Sequence, residues 1–207
     1  MIRLALPKGR NLKTALDAFR QADWPLNGLD SGDRRLKIPL PEIDAEALLL
    51  KDWDVPLYVE YGIADMGVVG SDVLEEVGGD VLVPARFTDG RSRMSLIGKG
   101  ELPKPGHQVR LASKFPNIAR AVVAGEAWSA EILKLWGSVE LGPLLELSEV
   151  ALDIVQTGRT LKENHLQELK TVREVAPILI VNRSAYQKHR QTLNRLLRRL
   201  EEVGAVE

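Results

Sequence analysis

Residues Val150 to Leu166, Val-Ala-Leu-Asp-Ile-Val-Gln-Thr-Gly-Arg-Thr-Leu-Lys-Glu-Asn-His-Leu, constrain the fold more than any other stretch of this chain. The apolar run Val150, Ala151, Leu152, Ile154, Val155 is long enough for a buried strand and is interrupted only by Asp153. Gln156 to Thr160 then forms a tight polar loop. Thr160 and Glu163 have the spacing of a capping box, which predicts a helix starting at Thr160. Strand, short loop and helix in this order place two hydroxyls, loop N–H groups and a helix start at one point. Gly158 permits close backbone approach there. An anionic group such as a phosphate suits that arrangement, and Asp153, four residues before Thr157, adds a carboxylate able to accept hydrogen bonds from adjacent hydroxyls. The two together suit a ribose 5-phosphate.

The same unit recurs along the chain. Ile2 to Leu6 reads as a strand, Pro7-Lys8-Gly9-Arg10 as a turn, and Asn11 to Ala22 as a helix with Leu12, Ala15, Leu16 and Phe19 on one face. Lys8 and Arg10 therefore stand where the strand's carboxyl end meets the helix, the usual ligand crevice of open α/β sheets. Arg34 to Leu40 and Ala47 to Leu50 read as strands. Asp54 and Pro56 suit the start of a helix that Gly62 ends, and Ala64 to Gly70 is a strand leading into a helix from Ser71. Repeated β-α units with short turns predict a mostly parallel, doubly wound sheet. Lys99 to His107 is rich in helix and strand breakers and reads as a crossing between domains; strand, helix and strand follow between Val109 and Leu135. Pro177 to Val181 is a last strand, and Tyr186 to Val203 one basic helix with a leucine stripe.

Composition removes several classes of function. The 207 residues carry a formal net charge of −1, so no broad basic surface for nucleic acid is indicated, and any anion site must be local. No apolar stretch reaches membrane-spanning length and the first residues lack the form of a signal peptide, which makes a cytoplasmic location the expectation. Cysteine is absent, excluding disulfides and thiolate chemistry. His107, His165 and His189 are too scattered for a histidine metal cluster.

Asp153 to Asn164 resembles the phosphoribosyl-diphosphate loop of the ATP phosphoribosyltransferases. The same family is matched by Leu4-Ala5-Leu6-Pro7-Lys8-Gly9-Arg10, by the Pro and Gly spacing from Asp54 to Asp72, by Lys114 to Arg120, by Gly137 to Leu141 and by Leu179 to Arg183. Glu146 and Glu149 stand in a segment where the family has Gly-Leu-Ala-Asp, and Ser92-Arg93 where it has Cys-Arg.

The resemblance implies two α/β domains around a cleft, like type II periplasmic binding proteins. The chain would cross twice, with domain I formed by residues 1–88 and 177–207 and domain II by 89–176. It implies joining of adenine N1 of ATP to C1 of phosphoribosyl diphosphate, with Mg²⁺. Arg10 and Arg34 would serve the diphosphate and ATP phosphates as catalytic cations. Lys8, Arg93, Glu140, Asp153, Thr157, Gly158, Arg159 and Thr160 would bind substrate, while the metal ligands stay unassigned. A chain of this extent resembles the short form, which works in a hetero-octamer with a regulatory subunit related to histidyl-tRNA synthetase. The alternative of a different class is a non-catalytic small-molecule sensor of the same fold.

Overall fold

The computed structural model describes residues 1–29 and 35–207. The chain divides into two compact units, residues 1–91 with 176–207, and residues 92–175. The breaker-rich Lys99 to His107 lies inside the second unit as the link between two of its strands.

In the first unit the elements run β1 (Ile2–Pro7), α1 (Arg10–Gln21), β2 (Lys37–Leu40), β3 (Ala45–Leu50), α2 (Val55–Glu60), β4 (Met66–Gly70), α3 (Ser71–Val77) and β5 (Leu82–Arg86). After the excursion through the second unit come β11 (Pro177–Val181), α7 (Arg183–Lys188) and α8 (Arg190–Glu202). The strand order is β2-β3-β1-β4-β11-β5. Both faces are covered, which accounts for β1 being apolar at every position but Arg3. Leu4 and Leu6 pack toward α1 and α8 with Leu12, Phe19, Leu193 and Leu196, whereas Ala5 packs with Val55 and Val59 of α2.

The second unit holds β6 (Ser92–Gly98), β7 (Gln108–Ser113), α4 (Pro116–Gly125), β8 (Ser129–Lys134), α5 (Leu141–Leu144), β9 (Val150–Val155), α6 (Arg159–Glu163) and β10 (Gln167–Val175), with strand order β10-β6-β9-β7-β8. Alternation along β9 again sets the faces. Leu152 joins Leu111, Phe115 and Ile118 in one cluster; Ala151 and Val155 join Ile97 and Leu161 in the other. Asp153 therefore projects on the side of the sheet that α6 covers.

Three readings of local structure change. The sheets are mixed, because only β3-β1-β4 and β8-β7-β9 pair in parallel; β11 pairs antiparallel with both β4 and β5, and β6 runs antiparallel to β9 and β10. Strands that carry the chain into and out of a unit arrive without a crossover helix, so the βα rule does not orient them. Asp54 makes no side-chain cap to α2, since a 3₁₀ turn from Asp52 to Asp54 already leads into the helix. The basic helix is broken at His189. Asn182 caps the first piece, its Oδ1 accepting from the N–H of Ser184 and Ala185 at 3.0 Å each.

Candidate active site

The carboxyl end of β9 opens into a cavity of about 210 Å³ lined by Ile97, Glu140, Asp153, Ile154, Val155, Gln156, Thr157, Gly158, Arg159, Thr160 and Leu161. Six of the residues singled out from the sequence, Glu140, Asp153, Thr157, Gly158, Arg159 and Thr160, thus meet around one hollow. Gly158 has φ +70°, a conformation that side chains resist, and a Cβ there would meet only Val155 at 4.0 Å. Conformation, rather than crowding, favours glycine. Thr157 Oγ1 accepts from the N–H of Arg159 at 3.4 Å, which folds the loop over its own backbone. Helix α6 starts at Arg159 with Gly158 as its N-cap, two residues before the Thr160 N-cap that the capping box requires, and that box does not form. Glu163 instead accepts from Arg159 Nε at 2.8 Å in a pair exposed on both sides. An exposed i,i+4 pair contributes roughly 0.3–0.5 kcal/mol, so Arg159 can leave it for an anion at small cost.

Asp153 is largely enclosed, its side chain 15% exposed. Its Oδ1 accepts from the N–H of Ile154 at 2.8 Å, and Lys114 Nζ stands 3.8 Å from Oδ2. Lys114 belongs to the family-like run Lys114 to Arg120, but nothing in that run's pattern joins it to Asp153. Arg93 is on the same sheet, where its guanidinium donates from Nε and Nη2 to both oxygens of Glu168 at 3.0 and 2.9 Å. The Glu146 and Glu149 departures fall at the other end of β9. There Glu149 accepts from the N–H of Arg110 and from its guanidinium, each at 2.6 Å, and this pairing holds its carboxyl below the usual range.

The first unit carries the remaining predicted residues. Lys8 and Arg10 are exposed at the β1–α1 turn, where Gly9 has φ +90°. Arg34 lies outside the described residues. Sequence reasoning missed the surroundings of Arg10. Asn11 Nδ2 donates to Asp52 Oδ2 at 3.4 Å, and a Cβ on Gly70 would stand 2.2 Å from Asp72 Oδ1 and 3.7 Å from the same Asn11 nitrogen. Asn11 therefore sits between two carboxylates. Burial, then repulsion from Asp72, pushes the Asp52 carboxyl up to about 6 against the pull of its own N–H, Arg10 and Asn11. Asp72 is likewise raised by burial, with Arg10 opposing. The only advance signal was position: both acids follow strands that flank or neighbour β1 at its carboxyl end. Among the described residues no three His, Cys, Asp or Glu side chains converge as a metal cage.

The sequence model described as HisG, ATP phosphoribosyltransferase, matches residues 51–202. The chain belongs to the ATP phosphoribosyltransferase family. An ATP phosphoribosyltransferase of Syntrophotalea carbinolica is 37% identical over 209 residues, covering 99% of this chain and 95% of that one. The solved ATP phosphoribosyl transferase (HisG:HisZ) complex from Thermotoga maritima contains a chain 32% identical with TM-score 0.82, covering 98% of each. The periplasmic aliphatic sulphonate binding protein from Escherichia coli shares the fold at TM-score 0.64 and 10% identity, over 99% of this chain and 72% of that one. ATP phosphoribosyltransferases are pentosyltransferases that carry out the first step of histidine biosynthesis, and the enzyme reading is favoured over a non-catalytic sensor.

Proposed function

We propose that the cavity at the end of β9 receives the ribose 5-phosphate of phosphoribosyl diphosphate in the condensation with ATP. The reading rests on one observation: side chains from β9, its following loop and the segment before α5 converge on a single hollow in a chain of this family. Thr157 and Thr160 would donate hydroxyls to the 5-phosphate, with Gly158 shaping the loop and Arg159 turning from Glu163 toward the anion. The first turn of α6 adds N–H groups that the helix itself does not use. Asp153 would accept from the ribose hydroxyls, and Glu140 would bound the same hollow.

The displacement forms a bond from adenine N1 to ribose C1 and breaks the bond from C1 to the diphosphate oxygen. The electron pair leaves with pyrophosphate, while positive charge grows on the ribose. Groups placed where that charge develops carry the catalysis. Lys8, Arg10, Arg34 and Arg93 are the cations assigned to the phosphates; Arg10 and Arg34 would meet the departing diphosphate and ATP. Mg²⁺ would supply further positive charge to the leaving group. The residues present fit it in one way: Asp153 and Glu140 offer carboxylates at the hollow, and Mg²⁺ commonly binds through one or two carboxylates plus substrate phosphates.

The same proposal takes residues 1–88 and 177–207 as domain I and residues 89–176 as domain II, and places the reaction in the cytoplasm. Among the described residues no helix is long and apolar enough to cross a membrane. A regulatory subunit related to histidyl-tRNA synthetase would complete the assembly as a hetero-octamer; the Thermotoga maritima HisG:HisZ complex supports the pairing of two kinds of subunit. The test is to mix the chain and that partner with ATP, phosphoribosyl diphosphate and Mg²⁺. Pyrophosphate release with the ultraviolet change of an N1-substituted adenine is expected. Absence of both with a folded, assembled complex would refute it.

A further inference from the structure

We infer that Glu168 is a positioning residue for phosphoribosyl transfer, holding Arg93 and Ser95 on the sheet face that carries Asp153. The inference deepens the site proposed above and rests on that reading.

Glu168 lies on β10, where its Oε1 accepts from Arg93 Nε at 3.0 Å, Ser95 Oγ at 2.8 Å and Thr171 Oγ1 at 2.9 Å. Its Oε2 accepts from Arg93 Nη2 at 2.9 Å. In a regular strand residues three apart point to opposite faces, so Glu168 and Thr171 could not share an oxygen. A register shift between Glu168 and Lys170 removes that obstacle, and a second lies between Thr171 and Arg173. Bulges of this kind re-aim side chains beside active sites.

Strand register connects the cluster to the hollow. On β6 and β9, Ser95 is paired with Asp153, Arg93 with Val155, and Ile97 with Ala151. Directly opposed residues of an antiparallel pair share a face at about 5 Å between Cβ atoms. Asp153, Val155 and Ile97 all line the cavity. Glu168 thus fixes the next polar group along the face on which the sugar would lie. Its carboxyl is held down to about 2, chiefly by the Arg93 hydrogen bonds, so it stays ionised throughout the working range. A guanidinium has five donors, and the bidentate grip on Nε and Nη2 leaves the Nη1 edge for an anion. An isolated surface ion pair would need neither the two hydroxyls nor the two bulges.

Glu168→Gln keeps the size and an acceptor for Ser95 and Thr171 but loses the charged fork that orients Arg93. It should raise the KM for phosphoribosyl diphosphate about tenfold or more, leave the KM for ATP within about twofold, and have little further effect in an Arg93→Ala background. Arg93→Lys, which keeps the charge and loses the fork, should show the same split without touching Glu168, and remains informative if Glu168→Gln folds poorly. Equal loss toward both substrates, or unchanged kinetics in both variants, overturns the inference. Failure of the underlying site is seen separately: Asp153→Ala would then leave phosphoribosyl diphosphate binding unaltered.

Discussion

Replacing Asp52 with Asn is expected to stabilise the protein at pH 8 and to change it little near pH 4. Burial and Asp72 raise the Asp52 carboxyl from its ordinary value of 3.8 to about 6. Below 3.8 the carboxyl is protonated in both folded and unfolded chains, and its environment costs nothing extra. As pH rises through about 6 the folded protein must ionise a partly buried acid that the unfolded chain ionises freely, so stability is lost across that window. A shift of two pKa units corresponds to about 3 kcal/mol, and the water reaching this half-buried group reduces the expected cost to about 1–2 kcal/mol. Asn is nearly isosteric and still accepts from Asn11. Asp72 complicates only the shape of the curve, because interacting acids titrate as a pair. Urea unfolding of the wild type and Asp52→Asn between pH 4 and 8 measures the difference directly. A difference that stays constant across that range, or a variant that weakens relative to wild type as pH rises, would refute the reasoning.

Gly67→Ala should destabilise the first unit by about 1–3 kcal/mol in the same unfolding assay, because its Cβ would stand 2.9 Å from Val55 Cγ1 and 3.0 Å from the Ala5 carbonyl oxygen, which β1 holds in place. Asp153→Ala and Thr157→Val should each weaken phosphoribosyl diphosphate binding by about 1.5–3 kcal/mol, roughly ten- to more than hundredfold by calorimetry, with little change in unfolding midpoint. Histidine should inhibit the isolated chain weakly and the complex with its regulatory partner strongly, since an effector acts only through unequal binding to the states of the assembly. A histidine titration with and without the partner decides this, and strong inhibition of the chain alone would contradict it.

What was legible in the sequence was local. The runs Ile2 to Leu6 and Val150 to Val155 declare buried strands through apolar character broken by one charge each, Arg3 and Asp153, and Gly9 and Gly158 mark turns because positive φ favours glycine. The loop carrying Thr157 and Thr160 could be placed for the same reason. Strand β10 could not. Gln167 to Val175 is mostly polar, and two register shifts break the period of two that would announce a strand. Asp52 was equally hidden, because its carboxyl is raised by burial and then by Asp72, with Arg10 opposing, and only folding buries it and brings those charges near. The capping box failed for a related reason: Thr160 and Glu163 have the right spacing, but Arg159 pairs with Glu163 and the helix begins before Thr160.

The same distinction separates the departures around Glu149 from the cavity at the carboxyl end of β9. Strand β9 has six residues, so its two ends are separated by roughly 17 Å at the usual strand rise of about 3.3 Å per residue. Glu149 precedes the strand and the loop of residues 156–160 follows it. A longer acid before β9 therefore acts on Arg110, where backbone and guanidinium both grip it, while Asp153 keeps its register opposite Ser95. Motif resemblance counts the two changes alike, as mismatches near the loop. Strand geometry separates them: a change before β9 alters a surface anchor, whereas a change at Ser95, Asp153 or Glu168 would alter the face on which the sugar is proposed to lie.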